Sequence, residues 1–382
     1  MFLRRLELEH FRNYTELSLA FHRSLNIFFG KNAQGKTNLL EAILFLALVR
    51  SPRTSRDAEL VQWHQPWARV YGVVQRHARH EVKVEILLYP RGRKVIRVNG
   101  VHRRRLAEVL GEVSVVLFSP QDVEMAKGEP SLRRRFLNMA LCQTSAEYYL
   151  ALNHYRRVLE QRNEVLRRAQ APGFQRDWLL PWNEQLIHYA SVLIHHRLQA
   201  VESLSLWARE THAHLSGGQE VLEVHYQPSV PLDGASTPEE IRHSLRSALE
   251  RLQGEELRRG NTLVGPHRDH LLLRVNGIEL RTFGSQGQQR TAALSLKLAE
   301  LRWLEHNLGE TPLLLLDDVM SELDEERRRR VMDLTQNVEQ IFITCAQERT
   351  FSEAILRNAG VFRIEEGRVT VVQNEIPTGV GG

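Results

Sequence analysis

The feature that most constrains the fold is a glycine-rich stretch between an apolar strand and an apolar helix. Residues 30–37 read GKNAQGKT, which matches the pattern G-x-x-x-x-G-K-T of a phosphate-binding loop (P-loop). The run LNIFFG that leads into it predicts a short strand, and KTNLLEAILFLALV predicts a helix. Backbone N–H groups of such a loop close around phosphates, and the helix start adds its positive dipole end. An accidental glycine-rich turn, the alternative, would need neither the strand nor the helix.

Each position of this loop is a candidate contact to a nucleotide. We expect the Lys36 side chain to reach the β- and γ-phosphates and to take part in catalysis, and the Thr37 hydroxyl to bind Mg²⁺. The predicted cofactors are therefore ATP and Mg²⁺. The candidate nucleotide-binding residues of the loop are Gly30, Lys31, Asn32, Ala33, Gln34, Gly35, Lys36 and Thr37.

A P-loop requires a carboxylate for Mg²⁺ at the end of a neighbouring apolar strand, and PLLLLDDVMSELDEERRRR supplies one. Asp317 is the predicted metal ligand, and Asp318 is predicted to polarise the attacking water. Residues Ser321–Asp324 resemble the D-loop of ABC-type ATPase heads, which runs along a dimer interface. The alternative is a buried strand that ends in a capped acidic turn. Lys36 and Asp317 are 281 residues apart, which indicates a long insertion between the two halves of one core.

Two segments compete for the signature by which an ABC-type subunit contacts the γ-phosphate held by its partner. That role requires a serine and a glycine at the start of a helix, shortly before the acidic strand. Residues Leu215–Gln219 spell LSGGQ, but they follow a long predicted helix and precede the strand-like run EVLEVHYQP. We therefore predict a helix C-cap and a turn at this place.

The second segment, GSQGQQR, meets both requirements. Ser285, Gly287 and Gln288 precede a strongly periodic helix predicted from Gln289 to about His306, and Ser285 lies 32 residues ahead of Asp317. We predict that these three residues contact the nucleotide and that Ser285 takes part in catalysis. A plain helix N-cap is the alternative.

The insertion itself is helical. The pattern predicts helix from about Ser131 to Gln170, a break at Ala171–Phe174 and a second long helix from about Leu179 to Leu215. Two such helices form an antiparallel hairpin with arms of roughly 40–50 Å. The predicted fold is α/β: a P-loop ABC-type ATPase head, with a mixed sheet around the P-loop helix, and an inserted α-helical arm lobe. The predicted domains are residues 1–120, 121–259 and 260–382, the first and last forming the head.

Composition excludes several classes of protein. The 382 residues are 42% hydrophobic and 25% charged, which suits a packed core, and no apolar run approaches the roughly 18 residues of a membrane span. The N-terminus lacks the apolar block of a signal peptide. We therefore expect a cytoplasmic protein with no membrane partner. Its two cysteines, Cys142 and Cys345, have no metal-ligand spacing, which favours free thiols.

The formal net charge is +5, and most of the basic residues are arginine. Each basic cluster alone is more consistent with a solvated face, but together they suffice for sequence-independent contacts to nucleic-acid phosphates. The clusters are Arg91–Lys94, His102–Arg105, Arg133–Arg135 and Arg327–Arg330.

Six stretches in order, HFRNY, GKNAQGKTNLLEAI, FSPQDVEMAKGEPSLRRRFLN, GPHRDHL, GSQGQQR and LLLLDDVMSELDEERR, resemble the RecF family over essentially the whole chain. The resemblance implies an ABC-like head that forms a homodimer in ATP. It also implies binding to double-stranded and gapped DNA with RecO and RecR, loading of a RecA-type recombinase, and release by slow, DNA-stimulated ATP hydrolysis. The corresponding processes are DNA repair, replication, recombination and the SOS response.

The resemblance also suggests further site residues. Arg12 and Asn13 match a contact to the nucleotide, with a solvated strand end as the alternative, and Gln121 matches the Q-loop glutamine that senses Mg²⁺. Two departures stand out: Asp318 occupies the place where ABC transporters carry Glu, and ITCAQ lacks their switch histidine, which leaves Thr344 or Gln347 at that position.

Two other functions remain open. One is a clamp or scaffold that binds ATP to dimerise without significant hydrolysis. The other is the ATPase subunit of an ABC transporter, which the missing switch histidine and the arm hairpin disfavour.

Overall fold

The computed structural model describes residues 1–77, 80–170, 173–347 and 351–374, without the side chains of Gln170 and Glu322. The chain forms two compact units. The first comprises Met1–Asp122 and Glu300–Gly382, and the second comprises Val123–Ala299. The second unit is therefore one continuous insertion in the sequence of the first. Part of the predicted break at Ala171–Phe174 lies outside the described residues.

The elements of both units are numbered in chain order. The strands are β1 (Phe2–Phe11), β2 (Tyr14–Ala20), β3 (Leu25–Phe29), β4 (Ala68–Gln75), β5 (Glu81–Leu88), β6 (Val95–Val98), β7 (Val101–Arg103), β8 (Val115–Phe118), β9 (Leu222–Gln227), β10 (His270–Val275), β11 (Ile278–Glu279), β12 (Leu313–Asp317), β13 (Ile341–Cys345), β14 (Ala359–Glu365) and β15 (Arg368–Gln373). The helices are α1 (Lys36–Leu48), α2 (Glu124–Lys127), α3 (Pro130–Thr144), α4 (Ala146–Arg167), α5 (Leu180–Ser216), α6 (Pro238–Arg259), α7 (Leu280–Phe283), α8 (Gln286–Leu308), α9 (Glu325–Leu334) and α10 (Glu353–Arg357).

The first unit contains two sheets. One is mixed, with strand order β15-β14-β3-β13-β12-β8, and the other is antiparallel, with order β2-β1-β4-β5-β6-β7. Helix α1 contacts strands of both sheets and is buried on nearly every face, which explains why its sequence is apolar without a polar stripe. The mixed sheet around the P-loop helix was predicted, whereas the separate antiparallel sheet was not.

The mixed sheet determines where the site lies. Strand β13 pairs in parallel with β3 on one side and with β12 on the other. The carboxyl ends of the three strands therefore meet at one edge, which is where α/β sheets bind ligands. The P-loop follows β3, and Asp317 ends β12.

The second unit is mainly helical and also contains a small sheet of order β11-β10-β9. The predicted hairpin is confirmed as α4 and α5, and α6 packs against both. The hydrogen-bonded pairs Arg162–Asn183 and Tyr148–Arg197 show that α4 and α5 run antiparallel. The arms are unequal, because 22 and 37 residues give about 33 and 56 Å. The predicted helical segment from Ser131 contains two helices, since Ser145 ends α3 and caps α4.

The compact units and the predicted domains differ at one boundary. The first boundary falls at residue 122 against the predicted 120, but the second falls at 299 against the predicted 259. The physical reason is that β10 pairs with β9 over six residues, which ties the segment after α6 to the lobe. Compactness does not test which residues serve the ATPase, so the functional assignment of residues 260–299 to the head stays a prediction. Among the helices of the described ranges, none is apolar enough over a sufficient length to cross a bilayer.

Candidate nucleotide-binding site

The P-loop has two glycines that no other residue could replace without strain. A Cβ on Gly30 would lie 2.3 Å from the carbonyl oxygen of Ile364. Gly35 has φ = +119°, and a Cβ there would lie 2.6 Å from Nδ2 of Asn13. Between them, Lys31, Asn32 and Ala33 are exposed, so the loop backbone is open to a ligand.

Lys36 and Thr37, the first two residues of α1, point to different partners. The Lys36 ammonium is buried and donates to the carbonyl oxygens of Gly30 and Lys31, at 2.6 and 3.1 Å. It therefore lies along the loop that would enclose the phosphates. The Thr37 hydroxyl donates to Oδ1 of Asp317 at 3.1 Å, across a sequence separation of 280 residues. The predicted pair of Mg²⁺ ligands is therefore adjacent.

Asp317 is held by a residue of the intervening strand. The Thr344 hydroxyl donates to Oδ1 of Asp317 at 2.7 Å and accepts the backbone N–H of Asp318 at 2.8 Å. Burial raises the pKa of the Asp317 carboxyl above its ordinary value, while the hydrogen bonds from Thr344 and Thr37 act in the opposite direction. Thr344 is completely buried and bonded to Asp317, whereas Gln347 is exposed; which of the two occupies the switch position stays a prediction.

Asp318 differs from Asp317 in exposure and backbone. It is half-buried and adopts φ = +56°, a left-handed conformation that Asp and Asn tolerate better than other non-glycine residues. Its Oδ1 accepts the Ser321 hydroxyl at 2.6 Å. Further along, Asp324 caps α9 by accepting the backbone N–H of Arg327. The capped acidic turn, which was the alternative to a site, is therefore present in the same segment as the predicted site residues Asp317 and Asp318.

Residues 12–14, at the turn between β1 and β2, make hydrogen bonds to the P-loop and to helix α1. Arg12 makes two hydrogen bonds to the carboxylate of Glu41, at 2.8 and 2.9 Å. Asn13 donates to the carbonyl oxygen of Gln34 at 3.0 Å, and the Tyr14 hydroxyl donates to that of Gly35 at 2.9 Å. The alternative of a solvated strand end is therefore wrong for Arg12 and Asn13. A direct contact of either side chain with the nucleotide stays a prediction.

The turn between β14 and β15 also supports the P-loop, and sequence reasoning missed it. The backbone N–H of Glu366 donates to Oε1 of Gln34 at 2.7 Å, and that of Gly367 donates to the Gln34 carbonyl at 3.0 Å. A Cβ on Gly367 would lie 2.4 Å from the carbonyl oxygen of Asn13. The EG dipeptide between two strands indicates a hairpin, but nothing in the sequence indicates which loop the hairpin contacts.

Arg53 is a second residue that sequence reasoning missed. Its guanidinium donates to Oδ1 of Asn38 at 2.8 Å and to Glu41 at 3.5 Å, and its charge partly offsets the rise that burial causes in the pKa of Asp317. It is a cation near the predicted metal ligand.

Gln121 lies in the turn just after β8, which pairs in parallel with β12, and its side chain is exposed. Its predicted role toward Mg²⁺ stays a prediction.

The Ser285 turn, in the second unit, opens a helix as predicted. The Ser285 hydroxyl accepts the backbone N–H of Gln288 at 3.2 Å, and Oε1 of Gln288 accepts the backbone N–H of Ser285 at 3.0 Å. This is a capping box, so the plain N-cap is present. The hydroxyl is exposed and retains its own proton for donation, so capping does not exclude a contact with phosphate.

The LSGGQ segment forms a helix end and not a helix start. Helix α5 ends at Ser216, and Gly217 and Gly218 follow in left-handed conformations with φ of +69° and +79°. The backbone N–H of Gly218 donates back to the carbonyl oxygen of Ala213 at 2.7 Å. Strand β9 begins four residues later. The predicted C-cap and turn are confirmed.

The basic clusters are not equally available for DNA. Arg133 is buried and donates to the carbonyl oxygens of Met125 and Gly128, so the predicted solvated cluster at Arg133–Arg135 is wrong for this residue. The reason is that Arg133 lies on the inward face of α3, where it closes the preceding turn. Arg91–Arg93 and Arg104–Arg105 are exposed. Neither Cys142 nor Cys345 forms a disulfide, as the sequence predicts.

The residues at the sheet edge fit Mg²⁺. The Thr37 hydroxyl and the Asp317 carboxylate supply hard oxygen ligands, and Mg²⁺ in nucleotide sites takes one or two protein oxygens, with water and phosphate completing its shell. Within the described ranges, no group of three or more His, Cys, Asp or Glu side chains is arranged so that it could hold a metal ion.

A P-loop, a buried aspartate at the end of a strand one removed from it, and a lobe inserted between them in sequence define an ABC-type ATPase head. The model of the RecF/RecN/SMC N-terminal domain matches residues 2–370. Relatives named DNA replication and repair protein RecF include that of Halalkalibacterium halodurans, 41% identical over 96% of this chain and 98% of its own, and that of Oceanobacillus iheyensis, 39% identical over 97% and 100%. The chain belongs to the RecF family of DNA replication and repair proteins.

Solved structures agree with this assignment. A structure described as the recombination mediator protein RecF-ATPrS in the RecFOR pathway superposes with a TM-score of 0.91 at 35% identity, covering 97% of this chain and 98% of the other. The Smc head domain of Pyrococcus furiosus, bound to a ScpA domain, matches with a TM-score of 0.55 at 18% identity, covering 97% and 96%. The second match concerns the fold alone. The predicted family and fold class are confirmed.

Proposed function

We propose that this chain binds ATP with Mg²⁺ at the P-loop, and that the bound ATP joins two copies into a homodimer on DNA. The observation that carries the proposal is the 3.1 Å hydrogen bond between the Thr37 hydroxyl and Asp317, because it joins the two halves of a Mg²⁺-nucleotide site. Solved relatives described as RecF-ATP and RecF-ATPrS support ATP as the ligand.

The proposed roles follow from position. The loop from Gly30 to Thr37 encloses the phosphates, with the Lys36 ammonium as its cation. Thr37 and Asp317 ligate Mg²⁺, and Gln121 adds a contact from the neighbouring strand end. Asp318 orients the attacking water, for which its half-exposed carboxylate is suited. When bound, Mg²⁺ supplies charge stabilisation at the phosphates.

Across the dimer, the exposed Ser285 hydroxyl of one copy donates to the γ-phosphate held by the other. Gly287 permits close approach, and the start of α8 adds its dipole. Hydrolysis then removes the group that joins the copies. We therefore propose a slow ATPase, stimulated by DNA, that acts as a timer for release.

The DNA and protein partners come from the family. Relatives described as recombination mediator proteins in the RecFOR pathway support a role in that pathway. From the family resemblance we propose double-stranded and gapped DNA, RecO and RecR as partners, and the loading of a RecA-type recombinase as the outcome. The net charge of +5 and the exposed arginines near residues 91–93 and 104–105 suit contacts with phosphates and no particular base sequence.

A clamp that binds ATP without hydrolysing it is the second candidate, favoured by Asp318 standing where ABC transporters carry the longer Glu. Steady-state ATPase activity with and without duplex DNA separates the two: turnover that DNA increases supports the first, and no turnover above a Lys36→Ala control supports the clamp. Membership of the RecF family weighs against a transporter subunit.

The two signature candidates give a matched test of the dimer. Ser285→Arg should leave ATP binding by the monomer intact and block ATP-dependent dimerisation, because a bulky cation replaces the hydroxyl at the other copy's γ-phosphate. Ser216→Arg is the control: it should leave ATP binding intact and should not block the dimer, because Ser216 lies at a helix end and not at the other copy's γ-phosphate. Lys36→Ala should abolish tight ATP binding. A dimer that survives Ser285→Arg but not Ser216→Arg would reverse the choice of signature.

A further inference from the structure

The LSGGQ turn, Leu215–Gln219, holds the residue that follows it, Glu220, in a fixed position. After Gly217 and Gly218 reverse the chain, the Ser216 hydroxyl accepts the backbone N–H of Glu220 at 3.4 Å. The next backbone N–H, that of Val221, donates to Oδ1 of Asn276 at 2.8 Å. The backbone of Glu220 is therefore held on both sides, just ahead of β9.

The Glu220 carboxylate lies between two side chains. Its Oε2 is 3.2 Å from Nε2 of His212 on α5, and its Oε1 accepts Nε2 of Gln288 on α8 at 3.0 Å. His212 is completely buried, and Nδ1 of its ring is 3.0 Å from the Ser295 hydroxyl. Burial lowers the pKa of His212, so at neutral pH the ring is uncharged and donates one N–H. The contact with Nε2 of His212 fixes the position of Oε2 and leaves Oε1 for Gln288.

The Gln288 amide connects this pair to the Ser285 turn. Its oxygen accepts the backbone N–H of Ser285 while its NH₂ group donates to Glu220. A rotated amide would direct its NH₂ at the Ser285 N–H and its oxygen at the carboxylate, and both arrangements are repulsive. Glu220 thus selects the amide orientation that completes the capping box.

We propose that Glu220 is a positioning residue that holds the Ser285 turn in the geometry required to contact the γ-phosphate bound by a second copy. This inference rests on the proposed function, since it takes Ser285 as the signature serine. The LSGGQ turn, Leu215–Gln219, does not itself contact the nucleotide in this proposal. It places Glu220 so that Glu220 supports the Ser285 turn, which makes that contact.

Loss of this support should loosen the turn without unfolding the unit. Ser285 is exposed, whereas α8 is anchored beyond it by buried residues, including Gln289, which donates to the carbonyl oxygen of Leu280 at 3.0 Å. Without Glu220, water competes for the Gln288 amide, and the Ser285 N–H loses a fixed acceptor. The effect therefore falls on dimerisation and not on ATP binding at the P-loop.

Three variants test the proposal by their dimer dissociation constants in a non-hydrolysable ATP analogue. Glu220→Ala should raise the constant by about tenfold or more, because a symmetric dimer contains two disturbed turns. Glu220→Gln should stay close to wild type, since its oxygen still accepts from Gln288 and its NH₂ can donate to the other tautomer of His212. Glu223→Ala is the control, because it removes a nearby carboxylate that pairs with exposed His225.

Two further measurements separate positioning from general damage. The affinity of monomeric Glu220→Ala for ATP should equal that of wild type, and amide hydrogen exchange should accelerate at Ser285 but not along the rest of α8. If the alanine variant folds poorly, Glu220→Met keeps the side-chain volume without an acceptor and should weaken the dimer in the same way.

The possible outcomes distinguish this inference from the proposed function. If wild type dimerises and Ser285→Arg does not, but Glu220→Ala and Glu220→Met dimerise normally, Glu220 has no positioning role. Equal losses in the Ala and Gln variants would also overturn the inference, because charge and not the hydrogen bond would then matter. If wild type does not dimerise in the analogue, the proposed function itself fails.

Discussion

Asp317→Asn should make the nucleotide-free protein more stable while it removes the proposed Mg²⁺ ligand. The Asp317 side chain is buried, and burial raises the pKa of its carboxyl. A carboxyl whose pKa is higher folded than unfolded stabilises the fold only while protonated, and that contribution is lost as the pH rises through the folded pKa. At neutral pH the buried charge is therefore a cost. Asparagine removes the charge but keeps an oxygen that accepts from Thr37 and Thr344.

The expected gain in the free energy of unfolding is about 0.5–2 kcal/mol, the usual size of the effect of one stabilising substitution. For a compact unit of this size, each kcal/mol raises the midpoint of heat unfolding by about 2–4 °C. Calorimetry in EDTA, from pH 5 to pH 8, measures the effect. The matched control is Asp318→Asn, which changes a half-exposed carboxylate and should shift the midpoint little.

The difference in stability between Asp317→Asn and wild type should depend on pH. The advantage of Asp317→Asn should shrink as the pH falls, because the wild-type carboxyl then takes up a proton and becomes as neutral as the amide. With Mg²⁺ and ATP present the order should reverse, since only wild type gains stability from the ligand. A variant that is less stable than wild type throughout, or an advantage that does not change with pH, would refute the reasoning.

Three further predictions concern the supports of the site and of the helical lobe. Thr344→Val should lower the free energy of unfolding by about 1–3 kcal/mol and weaken Mg²⁺-dependent ATP binding, because it removes the hydroxyl bonded to Asp317, whereas Thr344→Ser should retain both in denaturant unfolding and binding assays. Gly35→Ala should abolish nucleotide binding by calorimetric titration, because the added Cβ would lie 2.6 Å from an amide nitrogen at φ = +119°. Arg162→Ala should cost the second unit about 3–5 kcal/mol in urea unfolding, since it leaves the Glu256 carboxylate buried without its cation; an unchanged midpoint would contradict this prediction.

Local patterns sufficed for the parts of the site that are continuous in sequence. The P-loop and Asp317 each lie at the end of an apolar strand, and a strand end can be recognised without knowing the fold. Their adjacency followed from the chemistry of Mg²⁺. The hydrogen bond from Thr344 to Asp317 could not be predicted, since it depends on β13 pairing between β3 and β12.

Contacts between distant segments explain the other gaps. Gln34 and Glu366 are 332 residues apart, and neither residue has a pattern that indicates its partner. The same holds for the second boundary, where β10 joins β9 across the whole of α6. Arg133 belongs to a run of three arginines, and only the packing of α3 shows that one of them is buried.

The two signature candidates show that the predicted secondary structure around a motif is more informative than the match to the motif's sequence. Five matching letters at Leu215–Gln219 were outweighed by the helix before them and the strand after them. A weaker match at Ser285 was favoured because it precedes a helix. Both local structures were predicted correctly, while the hydrogen bonds that connect the two turns through Glu220 and Gln288 were not foreseen.

The central claim is that ATP joins two copies of this chain, and it is tested most directly by the mass of Asp318→Asn in solution. This variant keeps Asp317 for Mg²⁺, and asparagine tolerates the left-handed backbone at position 318. Loss of the Asp318 carboxylate, which we propose orients the attacking water, should slow hydrolysis by about 10²–10⁴-fold. Light scattering coupled to gel filtration should therefore find a dimer with ATP and Mg²⁺, and a monomer with ADP or with Ser285→Arg added. A monomer in saturating ATP, or the same mass in ATP and ADP, would contradict the account.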